Sequence, residues 1–157
     1  MQRFVRFLVP LLLLCSAASV AQSAANDQQA DGLAIVSSGY VAYKNAGAEA
    51  AVRAWIKGSP VDGSKDALAQ ANSLKQIEDL YGPFRSWHLV ASQSFGPDDR
   101  FYYAVMSYRD AAVYAKFEIF RGAKGWILDS FSFNTAIEKE FPQSLLDSSM
   151  VLMKPTE

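Results

Sequence analysis

A single histidine, His88, and 16 aspartates and glutamates are the groups of this chain that could move protons near neutral pH. Among the carboxylates Asp129 stands out. It sits in an alternating aromatic run, Gly125-Trp126-Ile127-Leu128-Asp129-Ser130-Phe131-Ser132-Phe133. Turned inward among such rings it would be desolvated, its pKa would rise, and it would suit acid–base work. The plainer reading places it in solvent or in a bond to backbone, since structural networks perturb carboxylates too. Five aromatic residues, Tyr40, Tyr43, Trp55, Tyr102 and Tyr108, complete the chemical inventory. They could line a pocket for a small apolar or aromatic ligand, with hydroxyls and Asp129 orienting it, or simply form a core.

Other chemistries lack their residues. One histidine and one cysteine give no zinc cluster, and the acidic pairs Glu78-Asp79 and Asp98-Asp99 lack the spaced oxygens of a calcium loop. Ser37 and Ser38 belong to no nucleophile elbow. There is no G-x-G-x-x-G after a strand and no Walker A loop. The sequence therefore points to no metal and no cofactor.

Arg3 and Arg6 precede an apolar run from Phe7 to Ala18, followed by small residues at Ser19-Val20-Ala21 and Ser23-Ala24-Ala25. Residues 1–25 read as a secretory signal peptide, because Pro10 interrupts the run and it is shorter than the roughly 20 apolar residues of a spanning helix. Leu14 stands before Cys15 where lipid attachment needs a small residue. Cleavage after Ala21 or Ala25 removes the only cysteine, so stability must come from packing. The exported product is expected in the periplasm or medium, with 13 basic against 16 acidic residues, a formal charge near −3. Its charges are scattered, without the basic stripe that a nucleic acid partner requires.

The elements that must position these residues follow from periodicity. Residues 26–31 read as a flexible leader. Leu33, Val36, Tyr40 and Tyr43 give one apolar helical face over 30–45, and Ala48, Ala51, Val52, Trp55 and Ile56 give a second before Gly58-Ser59-Pro60. Ser64 is placed to cap a third helix, which buries Leu68, Ala71, Leu74, Ile77 and Tyr81 and ends at Gly82-Pro83. From Phe84 the period becomes 2, predicting strands near 84–95, 100–109, 112–121 and 126–134. Their short connections require antiparallel neighbours. The fold class is α+β, three N-terminal helices on a curved four-stranded antiparallel meander, with the domain at 32–141 and a tail at 142–157 divided from it at Pro142.

Register is also open to argument. An Asp110-Ala111 turn pairs Tyr108 with Val113, Met106 with Ala115, Ala104 with Phe117 and Tyr102 with Ile119, all on one apolar face. In the last hairpin, a three-residue loop pairs Phe117 with Phe131 and Ile119 with Asp129, which sets Asp129 inside. In the first strand, alternation turns Trp87, Leu89, Ala91 and Phe95 inward and His88, Ser92 and Ser94 outward. First and last strands of such a meander lie about 14 Å apart. That spacing argues against a direct His88–Asp129 dyad. The opposite face carries Phe101, Tyr103, Val105, Tyr114, Phe120 and Leu128, which suggests cover by a second copy of the chain or by the C-terminal tail.

The order of elements from Gly32 to Asn134 resembles the nuclear transport factor 2-like family of cystatin-like α+β cones. Tyr40-Val-Ala-Tyr43-Lys-Asn-Ala-Gly-Ala-Glu-Ala-Ala-Val-Arg-Ala-Trp55 and Gly125-Trp126-Ile-Leu-Asp-Ser-Phe-Ser-Phe133 carry the local likeness. The resemblance implies a conical pocket between sheet and helices, frequent dimers, and functions from isomerases and dehydratases to binding modules. Fold alone does not choose among these. The sequence favours an exported, non-catalytic binding or assembly module. Its competitors are a small cofactor-free isomerase or hydratase using Asp129, and an accessory or inhibitor subunit of another envelope protein.

Overall fold

The computed structural model describes the backbone of residues 18–151 and the side chains of residues 32–148. The charged and apolar segments of the expected signal sequence, at residues 1–17, lie outside the described residues, as do the side chains of Met150 to Met153 in the tail.

Three helices come first: α1 (Ala18–Ala46), α2 (Ala48–Ile56) and α3 (Lys65–Tyr81). As backbone, α1 includes the stretch 26–31 read as a leader. Gly47 separates α1 from α2, with φ at +83° and its N–H on the Tyr43 carbonyl at 2.8 Å. A side chain at such a φ would meet its own backbone, so the corner calls for glycine. Ser64 caps α3 as expected, its hydroxyl accepting the Ala67 N–H at 3.1 Å.

Four strands follow, β1 (Phe84–Ser94), β2 (Asp99–Tyr108), β3 (Ala112–Gly122) and β4 (Gly125–Asn134), within one residue of the expected ends. They form an open antiparallel meander in the order β1-β2-β3-β4. A 3₁₀ turn (Ile137–Lys139) and α4 (Gln143–Val151) follow, with Pro142 between them. α1 lies against β1, β2 and β4, and α2 against α1, α3 and β4. One core results. Val36, Tyr40 and Tyr43 of α1 and Val52, Trp55 and Ile56 of α2 meet Tyr102, Ala104, Met106, Tyr108, Val113, Ala115, Phe117, Ile119 and Leu128 of the sheet.

The expected faces of β2 and β3 hold, although their pairing differs. Met106 opposes Val113, Ala104 opposes Ala115 and Tyr102 opposes Phe117, two residues from the expected register. The turn centres on Arg109-Asp110 instead of Asp110-Ala111, closed by the Tyr108 N–H on the Ala111 carbonyl at 2.9 Å. Its position is set from outside the hairpin. The Arg109 N–H bonds the Pro83 carbonyl at 3.2 Å and the Asp110 N–H bonds the Tyr81 carbonyl at 2.9 Å, so the turn satisfies the end of α3. A shift of two residues leaves each side chain on its face.

Bulges correct three other expectations. The β3–β4 hairpin pairs Gly122 with Gly125, and the register slips between Glu118 and Ile119, so that Ile119 opposes Leu128 while Phe117 still opposes Phe131. Asp129 is the extra residue and is exposed, not inward. Leu128 takes the inner position at 1% exposure, which removes it from the outer face. In β1 a slip between Leu89 and Ala91 makes Val90 the extra residue. Ala91 and Gln93 then oppose Tyr103 and Phe101, on the outer face, while Ser92 opposes Tyr102. Phe95 goes with them, edge-on to Phe101 at 5.0 Å.

Candidate functional site

The aromatic residues expected to line a pocket are packed together inside. Tyr40 stacks on Trp87 at 4.4 Å and meets Trp55 edge-on at 5.1 Å and Phe117 at 5.8 Å. Trp55 donates its indole N–H to the Val36 carbonyl at 2.8 Å. Tyr102 is buried beneath α1, where a Cβ on Gly32 would lie 2.8 Å from its hydroxyl oxygen. Tyr40, Tyr43, Trp55, Tyr102 and Tyr108 are brought together as core, and none lines the clefts described below.

Two hydroxyls in this interior are linked. Tyr43 Oη and Tyr108 Oη are 3.1 Å apart, and Tyr43 also reaches Glu78 Oε2 at 3.5 Å. Glu78 Oε1 accepts the Phe84 N–H at 3.4 Å, so this carboxylate ties α3 to the start of β1. Burial above all, and the Glu78 charge, keep both phenols protonated; Tyr108 raises Tyr43 further, while the hydrogen bond with Tyr43 draws Tyr108 partly back down. Tyr43 is raised far above the ordinary tyrosine value and Tyr108 is pushed up to about 12. Tyr40 differs: its buried hydroxyl has no hydrogen-bond partner among the described residues, and desolvation raises it strongly as well. Glu78 has no signal in the sequence, because its phenol partner lies 35 residues away.

Asp129 sits on the exposed bulge, away from Phe117 and Phe131, and the desolvation argument for it does not hold. His88 opposes Val105 on the outer face and is exposed, as expected. Among the described residues no group of His, Cys, Asp and Glu could hold a metal ion. No helix among them is long and apolar enough to cross a membrane.

The outer sheet face is the most distinctive surface. Phe101, Tyr103, Val105, Tyr114 and Phe120 lie there as expected. The C-terminal segment crosses part of it. Phe141, itself buried, stands edge-on to Tyr103 at 5.6 Å and to Tyr114 at 5.5 Å, and Ser132 Oγ donates to Glu140 Oε2. Glu140 and Phe141, the last residues before the expected 142–157 tail, therefore cover the Tyr103–Tyr114 half, and Pro142, Ser144, Leu145 and Ser148 of that tail line a cleft with Tyr103. Beyond it Phe95 stays 61% exposed and Phe120 41% exposed, flanking Phe101. A cleft of about 260 Å³ runs from Phe95 and Phe101 to Phe141, with Lys116, Lys139 and Glu140 on its walls. Alternation misses Phe95, because the bulge at Val90 reverses its face, and it misses Phe141, which precedes Pro142 outside any periodic run.

Two larger clefts lie elsewhere. One of about 530 Å³ separates the α1–α2 corner from α3 and carries Glu49, Lys75 and Glu78. The other, about 460 Å³, runs between α3 and the end of β4. Compared with models of protein families, with curated protein sequences and with solved structures, the chain matches none of them.

Proposed function

We propose that this chain is an exported binding or assembly module with a nuclear transport factor 2-like fold, which docks a protein partner on its outer sheet face. Three helices followed by an open antiparallel meander is the element order of that family, and it supports the fold assignment. Export rests on the charged, apolar and small-residue layout of residues 1–25, and places the module in the periplasm or medium.

The observation that carries the docking role is the uncovered pair Phe95 and Phe120 beside Phe101. Large aromatic groups left in water next to a face already covered elsewhere are the usual core of an interface, and lysines at its edge add a polar rim. A second copy of the chain would present the same patch to itself, and an envelope protein would present its own. The enzyme alternative relied on a desolvated Asp129, and the exposed bulge takes that support away.

Native mass spectrometry of the protein drawn from its own cell envelope after mild crosslinking tests the role. A dimer or a co-purifying protein, lost in Phe95→Asp/Phe120→Asp, is expected. A partner-free monomer in both chains would sink the reading.

A further inference from the structure

We infer that the groove between α3 and the end of β4 is a binding site for a neutral saccharide. Its volume, about 460 Å³, lies in the range of small-molecule sites, whereas the cleft beside Phe95, about 260 Å³, and a further one of about 240 Å³ between Tyr103 and Leu145 fall below it. The larger cleft at the α1–α2 corner is lined by Glu49, Lys75 and Glu78 and would select a charged ligand. No aspartate, glutamate, lysine, arginine or histidine lines the α3–β4 groove.

Its walls match the two-sided chemistry of a sugar ring. A pyranose has an apolar C–H face and a rim of hydroxyls, each of which both donates and accepts. The groove supplies an apolar strip in Leu80, Tyr81 and Phe133, and among the described residues Leu80 is 71% exposed. Aromatic rings beside an open floor can take the C–H face while a phenol hydroxyl stays wet. Around the strip stand Gln70, Ser73, Gln76 and Asn134. Amides and hydroxyls are the side chains that offer donors and acceptors together without net charge. Two of them are already steadied. Asn134 Oδ1 accepts the Ala136 N–H at 3.0 Å, and Ser73 Oγ donates to the Ala69 carbonyl at 3.2 Å, which leaves the Ser73 lone pairs as acceptors. Gln70, Ser73, Gln76, Leu80 and Tyr81 share one helix, so two of the three strip residues and three of the four polar rim residues form a fixed array.

This site is separate from the outer sheet face and does not depend on the docking role. The test is amide NMR titration of the full chain with maltotriose and with chitotriose, set against trigalacturonate and a neutral Gly-Phe-Gly peptide. The expected result is saturable shifts confined to residues 70–81 and 133–135 with at least one neutral trisaccharide. Gln76→Ala should weaken that binding about three- to tenfold, the loss of one hydrogen bond. Leu80→Asp, at an exposed position, should abolish it with the rest of the spectrum unchanged. Absence of shifts with both trisaccharides, shifts elsewhere on the molecule, equal response to trigalacturonate or the peptide, or wild-type affinity in both variants would each overturn the assignment.

Discussion

At the scale of single residues, three tyrosines of one interior separate into two kinds. Tyr43 and Tyr108 share a hydrogen bond and lean on Glu78, whereas the Tyr40 hydroxyl is buried without a partner. An unmet buried hydroxyl costs about 1–3 kcal/mol, so Tyr40→Phe should leave stability unchanged or raise it by about 1 kcal/mol. Tyr108→Phe should lower it by about 1 kcal/mol, and urea unfolding at pH 7 compares the two. The pair also predicts the alkaline limit of the fold. Below pH about 10 both folded and unfolded chains keep their phenol protons. Above it the unfolded chain releases protons that Tyr43 and Tyr108 retain, the unfolded state binds fewer, and stability falls as pH rises. For Tyr108, pushed up to about 12, the loss develops between pH about 10 and 12 and amounts to about 2–3 kcal/mol. Urea midpoints at pH 8, 10 and 11 should trace that decline, and Tyr108→Phe should make it shallower while the share of Tyr43 and Tyr40 remains. Asp129→Asn, on an exposed bulge, should shift the midpoint by less than about 0.5 kcal/mol.

At the scale of elements, the tightest approach at a glycine among the described residues is between α1 and α2. A Cβ on Gly39 would fall 1.9 Å from Trp55 Nε1, which is itself held on the Val36 carbonyl. Alanine normally improves a helix over glycine by about 1 kcal/mol. Here the ring has no room to retreat from Tyr40 and Phe117, so Gly39→Ala should instead destabilise by about 1–3 kcal/mol. Thermal unfolding decides the sign; a stabilised variant would mean that the helices part easily. The elements themselves were legible because their signals are local: the Ser64 hydroxyl three residues before Ala67, the Gly47 corner, the change of period at Phe84. Register was legible only in part. Alternation identifies a face by counting in twos, and the extra residues Arg85, Val90 and Asp129 each reset the count without a local sign. That is why Asp129 and Leu128 exchange faces, and why Phe95 emerges outside. The turn at Arg109-Asp110 is equally hidden, since the carbonyls that hold it belong to Tyr81 and Pro83.

At the scale of the whole molecule, the inner sheet face is closed by α1 and α2 and the outer face is divided between cover and exposure. The sequence left a second copy and the tail as equal candidates for that outer face, because six-residue apolar patches do not name what covers them. The structure places Phe141 against Tyr103 and Tyr114 and leaves Phe95 and Phe120 in solvent. Two substitutions on the same face should therefore act in opposite ways. Phe141→Ala removes the ring that closes the Tyr103–Tyr114 half; it should cost about 3 kcal/mol and uncover further aromatic surface, increasing self-association. Phe95→Asp, at a 61% exposed position, should change stability by less than about 0.5 kcal/mol, whereas Phe120→Asp sets a carboxylate opposite Asp99 and should cost about 1 kcal/mol; together they should abolish association. Sedimentation velocity across a concentration series, paired with urea unfolding of each chain, separates the two effects. Association that survives the aspartates but weakens in Phe141→Ala would put the docking surface on the C-terminal segment itself, because that segment is the element which the second substitution displaces and the first leaves in place.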